Sequence, residues 1–331
     1  MAAILLACVP RVAAHAAGND FTIQVSPSPL VVSLTPGQTQ TNTVTIRNFS
    51  NHPETLEPSL SGINISRDSE KVSLTSTLPA DISQWLHFSQ PGITVPAGGT
   101  SQLTLTFATP TNVGFSYAVA VNLTSTRTTQ SSSGAGIKPQ VVVFCLININ
   151  RSDAKSALSL DNFSSSKSRY AFLPADFSLH ITNSGNTISQ PSGNIFIQRS
   201  FGDSKPVATI PINPSGRYVL PGTARAFAAS WGSGFPYYAA GKDGKRHLVW
   251  DWKHLSDFRI GKYVARAVVT YDNGSQDVPL TASLTFWVIP WWLVTLLALL
   301  VVIVVTGLLG WGWLIFKGTK KVRGYAQHRK K

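Results

Sequence analysis

The chain is 331 residues long, with 28 Lys/Arg against 15 Asp/Glu, a net charge of +13 and 43% apolar side chains. So few carboxylates leave little material for paired acid catalysts or aspartate-rich calcium loops. Seven of the cations sit in the last fifteen residues, so only about +6 is spread over residues 1–316, with no RNA- or DNA-binding signature; nucleic acid is not an expected partner.

Residues 1–19, MAAILLACVPRVAAHAAGN, hold a short apolar run from Ala2 to Pro10 and then Ala14-His15-Ala16 followed by Ala17. That is an A-x-A cleavage pattern, so the segment is expected to be a secretory signal peptide, truncated because a positive n-region is missing. Leu5-Leu6-Ala7-Cys8 faintly resembles a lipoprotein box, but Leu6 stands where a small or β-branched residue is usual. Removal of the leader would take Cys8 with it. Cys145, inside the apolar run VVVFCLINI, would then be the sole cysteine, a small buried hydrophobe without a disulfide.

Residues 21–286 consist of alternating or short apolar runs bounded by Gly, Pro, Asn and Ser, with no useful stretch of 3.6-residue periodicity. The ectodomain is therefore expected to be all-β. Asn273-Gly274, between two strand-like runs, predicts a type I′ hairpin turn. An internal repeat suggests the architecture. TIRNFSN, VPAGGTSQLTLTF and GFSYAVAVNLT in the first half correspond to HITNSGN, VLPGTARAFAASW and GKYVARAVVTY in the second, in the same order. Two tandem immunoglobulin-like β-sandwiches, 20–152 and 153–286, are expected, separated near the polar stretch from Asn150 to Lys155.

The segment from Gly232 to Ile260 interrupts the second repeat and is rich in rings and cations. Trp231, Tyr237, Tyr238, Arg246, Trp250 and Trp252 are the candidate ligand- or partner-binding residues, because amphipathic rings and cations on a long connection suit recognition surfaces. Trp250 and Trp252 flank Asp251, so an extended backbone would turn both rings to one side. Packing against the second core and contact with the membrane interface are open alternatives for the same residues. No H-E-x-x-H, G-x-S-x-G, C-x-x-C or Walker pattern occurs, so no catalytic, metal or cofactor residue is assigned. His247 and His254, beside Asp251 and Asp257, read as solvated loop histidines rather than metal ligands. Six N-x-S/T sequons, at Asn48, Asn64, Asn122, Asn150, Asn162 and Asn273, are what a Ser/Thr-rich chain makes by composition and matter only in a eukaryotic source.

Trp287 to Phe316 runs without a charge and predicts one transmembrane helix over 287–316, starting near Pro290. Trp287, Trp291 and Trp292 mark one membrane interface, Trp311 and Trp313 the other. The tail, 317–331, carries Lys317, Lys320, Lys321, Arg323 and three further cations with no acid. By the positive-inside rule this is a single-pass type I plasma-membrane protein with an extracellular ectodomain and a cytoplasmic tail.

The order of leader, FTIQVSP opening, TPGQTQTNTVTIRN, VPAGGTSQLTLTF, second sandwich, anchor and basic tail resembles the WxL-interacting cell-surface proteins of Gram-positive bacteria. The resemblance implies sandwiches associated with peptidoglycan and with partner or host proteins. The Gly232–Ile260 insertion departs from the family plan, and the first sandwich carries no transferable binding motif. The functional expectation is a non-catalytic surface for peptidoglycan, another wall polymer or a secreted surface protein, without a cofactor. The alternative is a chaperone-like assembly factor that receives exported surface or pilus subunits by strand addition at a sheet edge.

Overall fold

The structure, a computed structural model, describes residues 21–65, 72–79, 81–130, 136–201, 205–232 and 234–328. The expected leader lies outside the described residues, as do residues 329–331 and the side chains of Lys317, Lys320, Lys321 and Arg323. The first half contains β1 (Ile23–Ser26), β2 (Leu30–Leu34), β3 (Thr39–Asn48), β4 (Glu54–Ile65), β5 (Val72–Thr75) and the short helix α1 (Ile82–Trp85). It continues with β6 (Leu86–Phe88), β7 (Ile93–Val95), β8 (Thr100–Ala108), β9 (Ser116–Ser125), β10 (Thr129–Gln130), β11 (Gly136–Ile137) and β12 (Gln140–Ile149).

Strands in the order β1-β3-β8-β6 form one sheet, and β2-β12-β9-β4-β5 the facing one, with β7 paired to β4. The alternation in β8 shows why they stack: Leu103, Leu105 and Phe107 are fully buried while the threonines between them turn outward. They meet Val121, Leu123, Val143, Cys145 and Ile147 from the other sheet, over Trp85 and Ile82 of α1. Between β1 and β2 the chain changes sheets. Pro27 and Pro29, which have no N–H to give, sit at this break in the ladder.

The second half contains β13 (Leu158–Ser165), β14 (Arg169–Tyr170), β15 (Ala175–Asn183), β16 (Ser192–Arg199), β17 (Ala208–Ile212) and β18 (Ala224–Trp231). A hairpin of β19 (Tyr237–Ala240) and β20 (Arg246–Val249), a 3-10 turn (Trp252–Asp257), β21 (Gly261–Asp272) and β22 (Asp277–Val288) follow. Sheets β13-β15-β18 and β14-β22-β21-β16-β17 enclose a second, aromatic core. Trp231 lies 5.1 Å from Tyr263 and 6.1 Å from Phe286, centroid to centroid. Among the described residues no sheet draws strands from both halves. Between Phe21 and Val288 the described residues thus form β-structure apart from one short helix and one 3-10 turn, around two separate hydrophobic cores.

The internal repeat has a physical basis in two buried asparagines. Asn48 donates from Nδ2 to the carbonyls of His52 (2.8 Å) and Val95 (3.3 Å), while its Oδ1 accepts from the Ser50 N–H (2.9 Å). Asn183 does the same with the carbonyls of Thr187 (2.8 Å) and Val219 (3.0 Å) and the Gly185 N–H (2.9 Å). Three residues beyond each of Val95 and Val219 stands a left-handed glycine, Gly98 (φ 63°) and Gly222 (φ 68°), which ends the turn where a side chain would strain it. Both backbone N–H groups of the asparagines also bond the residue after that glycine, Gly99 and Thr223. The repeat therefore encodes a side-chain clamp that ties the end of one strand to the turn feeding another.

Two local expectations are corrected. The Asn273-Gly274 turn is not type I′: Asp272 pairs with Asp277, leaving a four-residue loop in which only Gly274 has positive φ. The Asn273 side chain accepts from the N–H groups of Ser275 and Gln276, both at 2.9 Å, and so builds an Asx-type turn instead. Trp287 does not open the long helix. It belongs to β22, opposite Lys262, and donates its N–H to the Ser168 carbonyl. The helix α2 (Trp291–His328) begins after Pro290 and continues past Phe316 into the basic segment. Its segment Val294–Trp313 has mean hydropathy 2.6 and is covered by nothing, so it is long and apolar enough to cross a membrane.

Candidate functional site

Chemistry is sparse. Among the described residues no group of three His, Cys, Asp or Glu side chains is placed to hold a metal ion. His247 bonds Asp243 at 3.0 Å, and His254 lies 3.7 Å from Asp251 and 3.5 Å from Asp257, all on the exposed insertion. The bond from His247 is the main reason the Asp243 carboxyl is held below its ordinary range. Cys145 is fully buried and burial pushes its thiol up to about 12, which removes it as a nucleophile.

The sequence-predicted binding residues separate. Trp231 is 1% exposed at the centre of the second core, so it is a packing residue and no part of an exposed recognition surface. Its position at the end of β18, opposite Ala175, points it inward. Tyr238 is half-buried, its N–H bonded to the Leu173 carbonyl and its ring set edge-on against Phe172 at 6.2 Å. Tyr237 pairs with Val249 across the hairpin. Arg246 reaches Asp176 at 3.2 Å. Trp250 and Trp252 remain outside, 45% and 69% exposed, stacked at 6.0 Å over Phe235. They meet because Asp251 caps the 3-10 turn through the Lys253 N–H, not because the segment is an extended strand. Trp291 and Trp292 are half exposed at the head of α2, and Trp311 and Trp313 lie exposed at the far end of its apolar span.

A further site is not among those residues. β12 pairs with β9 along its length but with β2 only from Cys145 onward. The ladder to β9 is flanked by the bonds from Ser125 N–H to the Pro139 carbonyl and from Ile149 N–H to the Phe115 carbonyl. In an antiparallel ladder such pairs alternate, so odd-numbered residues of β12 bond β9 and even-numbered ones turn outward. Gln140 and Val142 therefore aim N–H and C=O at an edge that no described strand covers. Beside this edge lies an apolar cleft of about 270 Å³ between the two halves, lined by Pro29, Ile63, Ile65, Val72, Phe144 and Leu146 on one side and by Arg217, Tyr218, Leu220 and Arg225 on the other. Asn148 fixes the junction: its side-chain amide donates to the Ile188 carbonyl and accepts from the Ile188 N–H, both at 2.9 Å. The signal for this site was present in VVVFCLINI. A strand apolar on both faces covers a core with one and presents the other, here Val142, Phe144 and Leu146, for a second cover.

No protein-family model matches the chain and no characterised protein matches it in sequence. Among solved structures it is similar to the YadV chaperone, at 12% identity over 79% of this chain and 99% of that one, with a TM-score of 0.36. It is also similar to the class 5 fimbriae chaperone CfaA (12% identity, 78% and 98% covered, TM-score 0.39) and to the Salmonella enterica SafA pilin complex with the SafB chaperone (10% identity, 80% and 97% covered, TM-score 0.36). At this level of superposition the likenesses decide neither architecture in detail nor partner.

Proposed function

We propose that this is a membrane-anchored, non-catalytic surface protein that holds an exported protein by strand addition at the free edge of β12. The observation that carries the reading is the outward-facing backbone of Gln140 and Val142 next to the apolar cleft. An incoming strand there gains main-chain hydrogen bonds from the edge, and its apolar side chains gain cover from Phe144 and Leu146. This favours an assembly or holding role for surface subunits over a wall-polymer binder. The anchor is α2, with the ectodomain outside and the basic tail in the cytoplasm, from the charge asymmetry about the apolar span.

Val142→Pro tests the reading, because it deletes an outward N–H and spares the bonds to β9. Cells carrying a photocrosslinking residue at position 140 should trap an exported protein in the wild-type background and lose it with Val142→Pro, at unchanged melting temperature. Capture that survives the proline refutes strand addition. The orientation is checked by adding protease to intact protoplasts: digestion of the ectodomain with a protected tail fragment is expected, and protection of the ectodomain would overturn it.

A further inference from the structure

The end of the second sandwich on which the 232–260 insertion sits follows from strand register alone. β18 ends at Trp231 opposite Ala175, where β15 starts, and β21 starts at Gly261 opposite Val288, where β22 ends. The insertion leaves from Trp231 and returns at Gly261, so it caps the end from which α2 departs three residues after Val288. The first sandwich is attached at the other end, through Asn186 and Ile188 beyond the far terminus of β15. A second loop shares the capped end: Arg199 pairs with Tyr263, and Ser200 bonds the Lys262 carbonyl just before Phe201.

This end is unusually apolar for a surface facing water. Phe201 is 79% exposed, Trp252 69% and Leu255 55%, with Trp250 and Phe258 close behind, while Phe235 supports the stacked pair from beneath. Cations stand at the same end, alongside the Asp251 and Asp257 carboxylates of the 3-10 turn. Arg169 lies over Trp291 at 5.6 Å and Lys262 over Trp287 at 6.0 Å, and Lys253 is exposed within the 3-10 turn. Tryptophan beside Lys or Arg is the composition that settles at the level of lipid headgroups, rings toward the chains and cations toward phosphate.

We infer that Trp250, Trp252, Leu255, Phe258 and Phe201 form a second membrane contact, lying in the outer headgroup region of the bilayer that α2 crosses and seating the second sandwich on it. The inference rests on the reading of α2 as a membrane anchor. An aromatic pair at this position would then meet lipid rather than a soluble polymer, and the ectodomain would stand upright instead of swinging on the two-residue link Ile289-Pro290.

The test uses the full chain with Cys8→Ser, in nanodiscs of phosphatidylcholine and phosphatidylglycerol, carrying single cysteines labelled with an environment-sensitive fluorophore. Cys145 is buried and stays unlabelled. Leu255→Cys and Trp252→Cys report the insertion, Ser275→Cys the opposite end of β21 and β22, and Leu300→Cys the anchor. Lipid bearing a quencher near the headgroup end of its chain should reduce emission at 255 and 252 by about twofold or more, and leave 275 unchanged. Quenching at 300 with 255 and 252 matching 275 overturns the second contact and leaves the anchor standing. No quenching at 300 refutes the anchor itself, and the second contact with it.

Discussion

Replacing Asn48 or Asn183 with alanine should melt one half of the β region and spare the other. Each side chain is fully buried, and each holds two carbonyls and one backbone N–H, with the bonds to the Val95 and Val219 carbonyls wholly shut off from solvent. With a net of ~1 kcal/mol for each bond lost, and more where the orphaned group stays dry, either substitution should cost about 3–4 kcal/mol. For a cooperative unit near 130 residues that corresponds to roughly 10 °C in Tm. Calorimetry of the full chain should show two transitions, with Asn48→Ala lowering one and Asn183→Ala the other. If both variants lower a single transition equally, the β region is one cooperative unit and the two cores are not separate domains. If neither lowers Tm by more than about 2 °C, the clamps are not what ties the strands to the turns.

Trp231→Ala should cost about 3–5 kcal/mol by emptying the aromatic core, while Trp250→Ser with Trp252→Ser should leave the melting temperature nearly unchanged; thermal denaturation of both variants checks the assignment. Cys145 should resist maleimide at neutral pH in the folded chain and react once denatured, since a thiol pushed up to about 12 holds almost no thiolate; ready labelling of the native protein would refute its burial. Bonds from Thr182 and then Ser159 hold the Asp161 carboxyl below its ordinary value. Its contribution is therefore present above the unfolded value, ~3.9, and is lost as pH falls through the folded one. Asp161→Asn should lower stability at pH 7 by less than about 1 kcal/mol, because the group is largely exposed, and the gap to wild type should close in acid.

The β content, the repeat and the apolar span were legible because each rests on a local pattern: alternation in β8, a strand-ending Asn followed by a Pro/Gly turn, an uncharged run after Pro290. What escaped depends on partners distant in sequence. Trp231 and Trp252 are the same residue type in the same aromatic stretch, yet one closes a core because β18 pairs with β15 at Ala175 and the other is left outside by the Asp251 cap. The Asn273 turn was misread because Asn-Gly licenses positive φ at both positions, whereas here the asparagine side chain supplies the bonds that a type I′ backbone would have made. The free edge of β12 is a property of where β2 stops pairing: VVVFCLINI signals that a second face needs cover, but not which stretch of the strand lacks a neighbour.

The two proposed surfaces constrain each other. The edge of β12 lies in the first half of the chain, and β15 and β22 of the second half run between the junction at Asn183–Ile188 and the end where the proposed membrane contact sits. Nine to twelve strand residues at ~3.3 Å each put the junction about 30–40 Å from the start of α2. An edge held there on a freely swinging stalk would sweep through the headgroups as well as above them, and its exposed backbone would meet lipid as readily as an incoming strand. Seating Trp250, Trp252 and Leu255 in the interface removes that freedom, and the paired bonds of Asn148 to Ile188 carry the constraint to the first sandwich. Replacing Trp250, Trp252 and Leu255 together with serine should therefore leave the β12 edge intact yet reduce crosslinking of exported protein at position 140, with melting unchanged. Undiminished capture by that variant would show that the edge works without a fixed height, and would separate strand addition from membrane seating.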